Sequence, residues 1–169
     1  NHTFSISRVY RPVVSSELIR VPSKVGNRSY MSPHSSPIAV SDRFVFAVNT
    51  PADTLDVIEK ASNEVVHRIN VGIDPVSVAV RPDGKEVWVA NHISDSVSVV
   101  DIDSESRTCF QVVATIQAFE TKGRATHFDE PVGIAFAGNK KAYVALSAEN
   151  EIAVVDVPTR KLVKRLEIV

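Results

Sequence analysis

One short pattern occurs three times along the chain, and it constrains the fold more than any other feature. Phe46-Ala47-Val48-Asn49 overlies Trp88-Val89-Ala90-Asn91 and then Tyr143-Val144-Ala145-Leu146, with Trp88 42 residues after Phe46 and Tyr143 55 after Trp88. Each copy continues into a second apolar run: Asp53-Thr54-Leu55-Asp56-Val57-Ile58-Glu59, Asp95-Ser96-Val97-Ser98-Val99-Val100-Asp101 and Asn150-Glu151-Ile152-Ala153-Val154-Val155-Asp156. Each is preceded by a proline and another apolar run, beginning at Pro37, Pro75 and Pro131. A repeat of this length is one supersecondary unit that cannot bury its apolar faces alone, so the units must stack.

The middle copy predicts four strands. The first, Val76 to Val80, ends at Arg81-Pro82-Asp83-Gly84, where proline presets φ and glycine accepts a positive φ. The others run from Glu86 to Ala90, Ser96 to Asp101 and Gln111 to Ile116, separated by polar turn residues. Side chains alternate across a strand, so Val87 and Val89 point one way while Trp88 and Ala90 point the other. A sheet that is apolar on both faces must be covered twice. A sandwich would leave one face polar; a ring of similar sheets covers both. The expected fold is therefore all-β, a β-propeller of four-stranded antiparallel blades. Blade limits fall near 37–74, 75–130 and 131–169.

Residues 1–36 match no full blade. Phe4 to Tyr10 and Val13 to Val21 read as outer strands of a partial blade, followed by a Ser/Pro-rich loop. Propellers close with about four to eight blades. Three blades and a fraction therefore make an incomplete ring, whose missing blades come from the rest of a parent chain or from a partner.

The aromatic-Val-Ala-Asn strand, the Ser-Val-Ser-Val-Val-Asp strand, the Pro82-Asp83-Gly84-Lys85 turn and the Gly72-Ile73-Asp74-Pro75 link together resemble the YVTN family of β-propeller repeats. The flanking copies keep the strands and lose parts of the turns. The resemblance implies an extracytoplasmic protein of the surface-layer or periplasmic type, in a family some of whose members join the propeller to c-type haem domains. It implies no single activity.

Composition narrows the partners. A net charge of -1, from 19 basic and 20 acidic residues with no block of like charge, gives no footprint for nucleic acid. No run reaches the roughly 18 apolar residues of a membrane span. Cys109 is the only cysteine, so this segment holds neither an internal disulfide nor a Cys-x-x-Cys-His haem attachment.

The loops joining second to third strands emerge at the same end as the links between blades, and that end is the expected binding face. It carries Asp53, Asn91, His92 and Asp95, together with Arg124, His127, Asp129 and Glu130 from residues 117–130, an insertion that lengthens the second repeat. Long loops in compact domains carry function more often than short ones. His92 and His127 lack the spacing of a recognisable ligand pair, so no metal is assigned, and no cofactor. A nucleophile elbow, a phosphate-binding glycine loop and a zinc-helix motif are all missing, so no catalytic residue is assigned. Asp101, Asp156 and Glu59 read as acceptors for the turns that follow them.

The expected function is a non-enzymatic scaffold that binds a protein or small molecule at its loop end. The alternative is the propeller part of an oxidoreductase or hydrolase, associated with a c-type haem domain outside this segment.

Overall fold

A computed structural model of the chain describes residues 34–117 and 128–168, all within the compact unit Met31–Val169. The strands expected for residues 1–33, and most of the 117–130 insertion, lie outside the described residues. The described residues form three four-stranded antiparallel sheets. The first contains β1 (Ile38–Val40), β2 (Phe44–Asn49), β3 (Thr54–Glu59) and β4 (Glu64–Asn70). The middle sheet contains β5 (Pro75–Val80), β6 (Glu86–Asn91), β7 (Ser96–Asp101) and β8 (Val112–Ile116). The third contains β9 (Pro131–Ala137), β10 (Lys141–Leu146), β11 (Glu151–Asp156) and β12 (Lys161–Glu167). Among the described residues the strands of each sheet pair with their sequence neighbours, so each sheet is a meander, and one isolated parallel bridge joins Ser36 to Ser77 of β5. Among the described residues no helix is long and apolar enough to cross a membrane.

Register is equivalent in the three sheets. Phe46 faces Val57, Trp88 faces Val99 and Tyr143 faces Val154 across the second and third strands. The third and fourth strands shift register at corresponding places, Val57/Ile58, Val99/Val100 and Val154/Val155. Such bulges raise local twist. Gly84 takes a φ of 71° in the turn before β6, where a side chain would be strained.

The sheets stack in chain order with the middle one between its neighbours. One apolar core joins Phe46, Leu55 and Val57 of the first sheet to Val78, Val87 and Val89 of the second. Another joins Trp88, Val97 and Val99 of the second to Ala142, Val144 and Val155 of the third. The alternation expected along β6 is thus realised: Val87 and Val89 look back and Trp88 looks forward. Every residue of β6 and β7 is buried, whereas β2 and β10 are only partly covered. Burial on both faces follows from having a blade on each side. Phe46 and Trp88, the once-per-repeat aromatics, have no exposed surface. At roughly 25 cal/mol per Å² of buried apolar area, such side chains dominate the stabilisation of each interface.

Candidate functional site

At the end that carries the second-to-third strand loops, one arrangement recurs. Asp53 sits in the left-handed region at φ 55°, closing a single turn of 3-10 helix (Thr50–Ala52), and its carboxylate Oδ1 accepts the backbone N–H of Asp74 at 2.9 Å. The carbonyl of Asp74 then accepts the N–H of His92 at 2.9 Å. One junction later Asp95, at φ 48°, accepts the N–H of Glu130 at 2.9 Å, and the Glu130 carbonyl accepts the N–H of Ser147 at 3.0 Å. A carboxylate from one blade therefore holds the link, and the link carbonyl holds the next blade. Asp tolerates the left-handed conformation better than most residues, and its short side chain reaches a nearby backbone donor.

This arrangement brings His92, Asp95 and Glu130 together at the junction of the middle and third blades. His92 Nε2 lies 4.0 Å from a Glu130 carboxylate oxygen, with a His92 side chain 12% exposed. That same oxygen is 3.1 Å from the Ser147 hydroxyl. Beside them Asn91 is fully buried and its amide donates to the hydroxyls of Ser96 and Ser98 at 3.1 and 3.0 Å. The Ser98 hydroxyl also accepts the N–H of Gly72 at 3.3 Å. Asp53 belongs to the preceding junction, and Asp129 is half-buried. Arg124 and His127, the other two residues expected here, lie outside the described residues. Among the described residues no group of three or more His, Cys, Asp or Glu side chains is arranged to hold a metal ion.

The junction can do two things. It fixes the blade-to-blade angle through backbone bonds, and it exposes Ile93, 62% open to solvent, between the half-buried His92 and Asp95. A polar rim around an apolar contact is the ordinary composition of a protein-binding surface.

The opposite end carries a feature that the repeat pattern does not announce. A cleft of about 370 Å³ is lined by Arg81, Lys85, Glu86, Asp101, Thr108 and Arg160, among others. At its base Glu86 is bridged by Arg81 of its own blade at 3.0 Å and Arg160 of the third blade at 2.9 Å, and its second oxygen accepts the Trp88 indole N–H at 2.9 Å. Burial alone would raise the Asp101 carboxyl, but hydrogen bonds from Ser106, Thr108 and the Asp103 N–H hold it below the usual carboxylate value. Asp156 is lowered by its bonds from the Thr159 hydroxyl and N–H. Both acids accept from the turns that follow them, as does Glu59 from Ser62 at 3.2 Å. Burial raises the Cys109 thiol, which disfavours the reactive thiolate. Glu86 could have been found in the sequence by its place two residues before Trp88, on the same strand face. Arg160 gives no comparable signal.

No protein-family description matches the chain, and no curated protein matches it in sequence. Solved structures do. The chain is similar to hydrazine synthase of Kuenenia stuttgartiensis, with 27% identity, a TM-score of 0.67, and 83% of this chain covering 39% of that one. These sheets are propeller blades. The dihydro-heme d1 dehydrogenase NirN, in complex with DHE, aligns at 22% identity and a TM-score of 0.57, over 79% of this chain and 27% of the other. U3-55K aligns at 17% identity and 0.62, over 80% and 41%. All three are β-propeller proteins. The chain thus spans about two-fifths or less of each structure it matches, and two of the three are titled as a synthase and a dehydrogenase.

Proposed function

We propose that the chain is a set of YVTN-type blades from an extracytoplasmic scaffold that binds a protein or small ligand at its loop end. The observation that carries this reading is the junction of Asn91, His92, Asp95 and Glu130. There the link backbone is held rigidly by side-chain and main-chain bonds, while Ile93 and one face of Glu130 stay open. A rigid frame under exposed mixed-polarity groups lowers the ordering cost of binding. Asp53 and the Arg124, His127 and Asp129 region extend the same face in this reading. The extracytoplasmic placement rests on the sequence resemblance.

A photo-reactive residue placed at Ile93 should transfer label to the bound molecule in the native extract, and the same residue at Lys85, on the opposite end, should not. Equal labelling from both positions, or none from Ile93, would remove the proposal. A second reading, that these blades serve an oxidoreductase, is favoured by one observation: two of the three named structures are titled as enzymes of synthase or dehydrogenase type. In that case His92→Ala should lower turnover of the intact enzyme at unchanged stability.

A further inference from the structure

The two internal blade junctions fill one equivalent position differently. In the first, Phe44 opens β2 and meets Phe110 edge-on at 5.3 Å between ring centroids, and Phe110 stacks on His67 of β4 at 4.2 Å. Phe44 pairs with Glu59 as Glu86, which opens β6, pairs with Asp101. Phe110 and Arg160 are the left-handed residues, at φ 62° and 56°, that precede β8 and β12. His67 faces Val57 as Ala114 faces Val99. At the second junction the three rings are thus replaced by a carboxylate, a guanidinium and a methyl group, and the cleft of about 370 Å³ lies there.

The blade-to-blade contact does not require this opening. Packed rings serve the same position with no charge to desolvate. Glu86 and Arg81 have side chains only 11% and 15% exposed, and drawing such charges out of water is unfavourable unless their bonds offset it. Departures from the packing rule of a fold concentrate where a protein binds or reacts.

The walls define what fits. They carry three basic residues, three acidic residues, Ser106, Thr108 and Val113, so the formal charge of the lining is zero. Its charged groups are already bonded. Glu86 takes Arg81 at 3.0 Å and Arg160 at 2.9 Å, Asp103 takes Lys85 at 2.8 Å, and Asp101 accepts the Thr108 hydroxyl at 2.6 Å. An anion entering the cleft meets three carboxylates and a cation meets three basic groups, so either must break a bond already made. A hydroxyl group both donates and accepts. It can bond a carboxylate and a cation together and leave their own pairing whole.

Capacity remains on both sides. Among the described residues the Lys85 ammonium and the Arg160 guanidinium each engage a single acceptor, and their side chains are 59% and 33% exposed. The Asp103 carboxylate accepts from Lys85 and from the Glu105 N–H, with lone pairs to spare.

We propose that this cleft binds a neutral, hydroxyl-rich molecule of the size of one sugar ring, its hydroxyls bonded to the carboxylates of Asp101 and Asp103 and to the N–H groups of Lys85 and Arg160. The volume falls at the small end of the range for ligand sites, about 300 to 1,000 Å³. The site is formed wholly between the middle and third blades, at the end opposite the loop face, and it stands whether or not the loop face binds a partner.

Trp88 is the sole tryptophan, and its indole N–H bonds Glu86 at the base of the cleft, so a single indole resonance reports occupancy. Titrated with D-glucose, D-galactose and D-mannose at fixed ionic strength, the 169-residue chain should show a saturable shift of this resonance with at least one sugar. Inorganic phosphate and glycine, an anion and a zwitterion, should produce none. Arg160→Ala removes a donor and leaves Glu86 with Arg81 and Trp88, and it should weaken the sugar about tenfold, the loss of one charge-assisted hydrogen bond. Val113→Phe narrows the cleft without touching a charge and should abolish binding with circular dichroism unchanged. Should that variant lose its strand signal, the wild type and Arg160→Ala still decide. No saturable shift with any of the three sugars overturns the proposal. So does phosphate or glycine binding as tightly as the sugar, or sugar affinity unchanged in Arg160→Ala or in a folded Val113→Phe.

Discussion

The carboxylate of Asp95 accepts the backbone N–H of Glu130 at 2.9 Å, and the carboxylate of Asp53 accepts that of Asp74 at the same distance one junction earlier. Asp95→Ala removes this acceptor and leaves a non-glycine residue at φ 48° without its compensating bond. The expected loss is about 1 to 2 kcal/mol, from one charge-assisted hydrogen bond and the left-handed backbone cost. Asp95→Asn keeps an acceptor and tolerates the backbone, so it should lose less than half as much. Urea denaturation of the two variants makes the comparison, and equal losses would show that the carboxylate does not clasp the link.

Glu86 ties two blades through three donors, Arg81, Arg160 and the Trp88 indole. Glu86→Ala leaves the buried Trp88 indole N–H without its acceptor and takes one carboxylate from Arg160 and from Arg81, which keeps Asp83 at 2.7 Å, so the expected cost is about 1 to 3 kcal/mol. Arg160→Ala should cost much less, because Arg81 and Trp88 still satisfy the carboxylate and Arg160 is itself a third exposed. Trp88 is the sole tryptophan, so its fluorescence reports this interface directly. In Glu86→Ala the emission midpoint should move to lower denaturant while Arg160→Ala stays near wild type.

The blade was legible because its signal is periodic. Ser96 to Asp101 was bounded correctly from its alternation and flanking polar turns, and the other middle-blade strands within one residue at an end. Face assignment along β6 followed from the period of two alone. What stayed hidden depends on residues far apart in sequence. Arg160 reaches Glu86 across 74 positions, and no local pattern marks an arginine that turns back onto the preceding blade. The roles of Asp53 and Asp95 were hidden for another reason. Exposed-looking acids at loop ends suggest binding, yet both carboxylates already accept link backbone N–H groups. That bond depends on where the next blade lies.

Gly72 lies between the first and middle blades with no room for a side chain. A methyl group there would sit 2.6 Å from the Asn91 amide and still closer to the Ser94 hydroxyl. Asn91 is fully buried and tied to Ser96 and Ser98, so it cannot give way without breaking those bonds. Gly72→Ala should therefore destabilise by about 1 to 3 kcal/mol, the usual range for overpacking a filled site. Adding Ser94→Ala should recover only part of the loss, since the clash with Asn91 remains. A thermal midpoint series of the three proteins reads this, and full recovery would place the steric limit at Ser94 alone.

His67 of the first blade stacks on Phe110 of the middle blade at 4.2 Å between centroids, and burial lowers its pKa below the ordinary histidine value. Burial favours the neutral ring, so the folded chain takes up its proton at a lower pH than the unfolded chain does. In the interval between the two values the unfolded state binds more protons, and stability rises with pH there. The contribution is complete above the ordinary value of about 6.5 and is lost as pH falls below it. Stability measured between pH 7.5 and 5.5 should decline for the wild type and decline less for His67→Phe, which keeps the ring contact and removes the titration. Other groups titrate in both proteins alike, so the difference between the two curves isolates His67. Parallel curves would mean that the stack with Phe110 does not desolvate the imidazole.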